Sequence, residues 1–191
     1  MNPMMFPRMF SSHDEGWAWL MNVHPSVVRM YSLYVVPLSL IPPAMLLYAA
    51  NAYADRMLGN ISMDEAWKLA TLFFLAELVM VPLMGLVIQV IGDVAGTRPE
   101  YHDAFAFAAV APTPLWLSAL ALFVPSAAFN GAATVVALIA CGILIYEGSY
   151  RVFRLADDKQ APMATASILA AGLLAWVSLM GLAFGFLGWN W

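Results

Sequence analysis

Charge is what this sequence has least of. Lys and Arg together number 8, and Asp and Glu 12, in 191 residues. Charged residues make up 10% of the chain, against about 25% in a typical soluble domain. That is too few to solvate a globular surface. Cysteine is nearly absent too: Cys141 stands alone, which excludes an internal disulfide and a cysteine-based zinc site. Its place in an apolar stretch makes it a small packing residue. No basic tract exists and the net charge is −4, so nucleic acid is not an expected partner. A nucleophile–base pair, a phosphate loop and a zinc-protease motif are all missing. His13, Asp14 and Glu15 are consecutive and fall on different helix faces. No enzymatic activity and no cofactor are expected.

What fills the chain instead is apolar. Hydrophobic residues make up 63% and the mean hydropathy is +0.78, values of an integral membrane protein. Five apolar runs, at about 30–52, 67–92, 103–125, 127–148 and 164–188, are long enough to cross about 30 Å of hydrocarbon. Backbone polar groups in lipid must satisfy one another, so the runs are read as helices. The expected fold is all-α, a bundle of five transmembrane helices over residues 30–191. An odd number of crossings puts the termini on opposite sides. One set of loops carries Arg8, Arg29, Arg98, Arg151, Arg154 and Lys159, and the other only Arg56 and Lys68. The positive-inside rule then places the N-terminus in the cytoplasm and the C-terminus across the membrane.

Residues 1–29 read as a cytoplasmic segment, with no cleavable signal peptide in its apolar pattern. In SSHDEGWAWLMNV, Ser12 and Glu15 have capping-box spacing. Trp17, Trp19, Leu20 and Val23 suit an amphipathic interfacial helix lying in the headgroup boundary. Membrane lipid is therefore an expected partner. Asn60-Ile61-Ser62 has the form of a glycosylation sequon.

Two features stand out inside the apolar runs. Glu77 lies about 15 Å beyond Trp67 at helical rise, close to the bilayer midplane. A carboxyl at that depth is costly when charged and is a functional candidate by default. Pro82 frees the carbonyl of Leu78 beside it. In VAPTPLW, Pro112 and Pro114 break the third run at about the same depth. They free the carbonyls of Ala108 and Val110, and Thr113 adds a hydroxyl. Irregular backbone at such depth is tolerated where protein or a watery cavity surrounds it. Glu77 with Ala108, Val110, Pro112, Thr113 and Pro114 is thus a candidate site for a small cation or a proton. The alternative is a packing hydrogen bond from Glu77 to a freed carbonyl. Pro37, Pro42 and Pro43 interrupt the first run similarly.

Three further sets complete the reading. His24, Asp93, Arg98, His102, Asp103, Glu147 and Arg151 fall at the cytoplasmic ends of the runs. They are expected to form a charged rim pairing with itself and with headgroups. A weaker metal reading joins His13, His24 and His102 with Met4, Met5 and Met9, because thioethers select Cu(I). Gly181, Gly185 and Gly188 put small residues on one face of the last run. That suits close helix packing, within the bundle or in a homo-oligomer or with a membrane protein partner. Ala104, Ala108 and Ala111 do the same on the third run.

HPS at 24–26, TRPEYHDAFAFAAVAPTPLWLSALALFVP at 97–125 and GILIYEGSYRVFRL at 142–155, in that order among five runs, resemble the Yip family of small membrane proteins. The nearest likeness is to its bacterial YohC-like inner-membrane branch. The resemblance implies a five-helix bundle with a cytoplasmic N-terminus in a bacterial inner membrane. Eukaryotic relatives are implicated in vesicle trafficking and in binding small GTPases through a long cytoplasmic N-terminal region that this sequence does not show. The expected role is non-enzymatic, in membrane transport or membrane organisation. Its rival is a scaffold or trafficking-type adaptor associating through small-residue helix faces.

Overall fold

The computed structural model describes residue 17 and residues 26–57, 61–152 and 161–188. Among them there is no strand, and five helices are long and apolar enough to cross a membrane. They run Val27–Tyr53, Met63–Val94, Tyr101–Phe123, Ala127–Tyr150 and Pro162–Gly185, here the first to fifth spans. The second begins at Met63, earlier than the apolar run alone suggests. A complete capping box causes this: the Ser62 side chain accepts from the Glu65 N–H, and the Glu65 carboxylate accepts from the Ser62 N–H. Such a cap satisfies two of the donors a helix start leaves open. The serine of the sequon-like triplet therefore has a structural role.

The prolines act locally. Ahead of Pro37 the first span widens into a π turn, Tyr31–Val35. The proline ring excludes the carbonyl four residues back from its ordinary place, and a wider turn accommodates it. The helix is interrupted at Leu40 and restarts at Ile41, with Pro42 and Pro43 in its first turn, where a missing N–H costs nothing. The third span stops at Val110 and resumes at Thr113, with Pro112 as its new N-cap. The Pro112 carbonyl accepts from the Leu115 and Trp116 N–H groups at 2.9 and 3.1 Å, which starts the second helical segment.

Within the bundle, the second span packs against the first, third and fifth, and the fourth packs against the third and fifth. The opening segment of the third span is central. Every residue from Ala104 to Val110 is buried, so all faces of this stretch meet protein. Small residues permit this: a methyl group on Gly85 of the second span would lie 3.3 Å from the Phe105 Cα, so the two backbones approach closely.

Trp17 corrects one expectation. Its side chain lies inside the bundle, 1% exposed, and not in the headgroup boundary. It meets Phe107 edge-on with ring centroids 5.3 Å apart. Gly148 of the fourth span makes the room. A methyl group there would lie 2.5 Å from Phe107 Cε2 and 2.8 Å from Trp17 Cζ2.

Candidate functional site

Glu77 sits near the middle of the second span and is 5% exposed. Its Oε1 accepts a hydrogen bond from the Trp116 indole Nε1 at 3.1 Å. Its Oε2 is buried with no hydrogen-bond partner. The helix restart at Pro112 positions the indole: Trp116 is one turn into the new segment, on the face that carries Pro112, Ala119 and Trp116 toward Glu77.

Both side chains border an interhelical cavity of about 570 Å³. All five spans contribute to its wall, among them Pro43, Met80, Ala108, Leu138 and Trp176. The wall is almost wholly carbon. Among the described residues Glu77 is its only carboxyl group, and no Lys, Arg or His lines it. A buried carboxyl with one oxygen unpaired is an unusual expense in such a setting.

The residues proposed from sequence around the broken turn divide into two groups. Ala108 and Pro112 border the cavity with Glu77. Val110 and Thr113 belong to a separate buried network: the Thr113 hydroxyl donates to the Val110 carbonyl at 2.7 Å and pairs with the Tyr34 hydroxyl at 2.7 Å. The Val110 carbonyl freed by Pro114 is therefore met by a neighbouring side chain. The Leu78 carbonyl freed by Pro82 accepts from the Tyr31 hydroxyl at 3.1 Å. Hydroxyls from within the bundle thus take up the carbonyls of Val110 and Leu78, and Glu77 bonds to an indole, not to a freed carbonyl.

The model of the Yip1 domain family matches residues 8–179. The chain belongs to the Yip family. Neither a curated protein nor a solved structure matches it.

Elsewhere in this Yip chain the sequence-derived sets are only partly drawn together. At the Tyr101 end of the bundle, His102 lies between two carboxylates, with Nδ1 3.2 Å from Glu100 and Nε2 3.2 Å from Asp103. Asp93 and Arg98 are exposed, and Arg98 adopts a positive φ of 46°. Glu147 precedes the glycine that seats Trp17, and its Oε2 is buried without a hydrogen-bond partner. His24 and the Arg151 side chain lie outside the described residues, as do Met4, Met5, Met9 and His13. Among the described residues no group of three His, Cys, Asp or Glu side chains is placed to hold a metal ion. Gly181 and Gly185 are exposed, and a methyl group on either would meet nothing within 4 Å. They do not pack inside this bundle. The surroundings of Gly188 are not described.

Sequence reasoning missed Trp116, Tyr34 and Glu100. A signal for the first was present. A tryptophan deep in an apolar run, away from the interface belts, needs an acceptor when buried, and Glu77 is the acceptor expected at that depth.

Proposed function

We propose that this Yip-family protein is a non-enzymatic inner-membrane protein acting in membrane transport or membrane organisation, with Glu77 as the polar point of a pathway through the bundle. The observation that carries the reading is the pairing of a cavity of about 570 Å³ with a carboxyl oxygen that has no partner. Intramembrane carboxyls that border cavities mark ion, proton or substrate routes. Yip-family proteins are not known as enzymes. The positive-inside count favours a cytoplasmic N-terminus and a C-terminus in the periplasm.

The test is flux. Wild type and Glu77→Gln are reconstituted in proteoliposomes under an imposed pH gradient and membrane potential, and proton and cation movement is followed. Flux in the wild type that is lost in the variant is the expected result. Equal flux in both, or none in either, overturns the transport reading.

One observation favours a second reading, association through helix faces: Gly181 and Gly185 have open space around them in the single chain. Native mass spectrometry of wild type and Gly185→Leu separates the two. An oligomer present in the first and absent in the second supports a scaffold, and a monomer in both removes it.

A further inference from the structure

The cavity wall discriminates among guests by charge. An anionic guest would meet Glu77 and no cation, because among the described residues no Lys, Arg or His lines the cavity. A bare metal ion would be poorly served. Hard cations take about six oxygen ligands. Of the carbonyls that the prolines free, those of Val110 and Leu78 already accept from Thr113 and Tyr31, and Ala108 with the Glu77 carboxyl falls short of that number. A neutral apolar guest would fit the carbon surface and leave the free Glu77 oxygen buried and unmet, at a cost.

One class meets every part of the wall. From this charge pattern we infer that the cavity binds a monovalent organic ammonium with a bulky apolar body, its nitrogen against the Glu77 carboxyl group. The inference rests on the cavity being a binding site, as proposed above. An ammonium offers that carboxyl group a hydrogen-bond donor and one positive charge. Its hydrocarbon replaces lipid contacts with those of Leu138, Met80 and their neighbours. Trp116 and Trp176, also in the wall, offer the aromatic faces that attract organic cations. The volume of about 570 Å³ lies in the range of pockets for small molecules. Trp116 holds one carboxyl oxygen at 3.1 Å and so orients the group.

The test uses the full chain in nanodiscs, with empty nanodiscs as the blank for partition into lipid. Two probes of one shape are compared by scintillation proximity: 1-aminoadamantane, an ammonium at neutral pH, and 1-adamantanol, which has no charge. The expected result is saturable binding of the amine, about tenfold or more tighter than the alcohol, the size expected of one close charge pair. Glu77→Gln should remove that preference and leave the alcohol's affinity unchanged. A second variant guards against misfolding of the first. Gly172 borders the cavity, and a Cβ there would sit at an ordinary 3.6 Å from Ile145 Cδ1. Gly172→Leu should fill the space and abolish binding of both probes. Equal affinity for amine and alcohol, unmoved by Glu77→Gln but lost in Gly172→Leu, overturns the inference about charge and keeps the cavity as a site. No saturable binding of either probe to the wild type overturns both.

Discussion

The third and fifth spans have similar mean hydropathy, 1.7 and 2.0, yet 44% of the third span's most apolar stretch is buried inside the protein against 6% of the fifth's. Hydropathy reports that a segment leaves water. It does not report whether the segment then meets lipid or protein, because lipid tails are as apolar as leucine. What separates the two is side-chain size and polarity. The third span opens with YHDAFAFAAV, in which small alanines alternate with large rings. The small residues admit neighbouring backbones, and Phe105 and Phe107 fill the space between them. The fifth span presents Leu174 and Val177 outward, while Leu173 and Phe184 border the cavity. Helices in a bilayer associate through packing and internal hydrogen bonds, and the third span has both.

The sharpest way to break this contrast is to hollow out the centre. Phe107→Ala should cost about 3 kcal/mol or more of stability, the loss typical of a fully buried ring. Leu174→Ala in the fifth span should stay within about 0.5 kcal/mol, as expected away from packed sites. Denaturant unfolding in mixed micelles measures both, and similar losses would show that the two spans are not distinguished by packing. Next comes overfilling. Gly148→Ala places a methyl group against Phe107 and Trp17 and should destabilise by about 1–3 kcal/mol. Gly181→Ala, with nothing nearby, should be silent in the same assay. The smallest effect expected is polar. Tyr34→Phe removes the hydroxyl that pairs with Thr113 and should cost about 1 kcal/mol, the scale of buried hydrogen bonds between membrane helices. A loss as large as that of Phe107→Ala would make the Tyr34–Thr113–Val110 network the main tie of the bundle.

These differences mark how far the sequence was legible. The five crossing helices follow from run length, because the bilayer sets a minimum and few charges interrupt the runs. Glu77 announced itself by being a carboxyl in the wrong solvent. The partners did not. Trp116 is 39 residues from Glu77, and Tyr34 is 79 from Thr113. Such pairs depend on the rotation of one helix against another, which periodicity within a helix does not contain. Trp17 failed for a related reason. An amphipathic tryptophan suits an interface equally well when the interface is lipid headgroups or the end of a bundle, and only the notch at Gly148 decides between them. The break in the third run follows from Pro112 and Pro114, whereas the hydroxyl that meets its Val110 carbonyl is that of Thr113 itself, paired in turn with Tyr34 of the first span. Nothing in the sequence singles out Glu100, and only the ring orientation of His102 brings it into contact.

The central claim is that Glu77 borders a cavity that a membrane-dissolved molecule enters. Dicyclohexylcarbodiimide tests it directly, since this apolar reagent adds to carboxyl groups in apolar surroundings and the product is located by mass spectrometry of peptides. The account predicts modification of Glu77 in the wild type and protection of Glu77 in Gly172→Leu. A wild-type Glu77 that stays unmodified while other carboxyls react would contradict it.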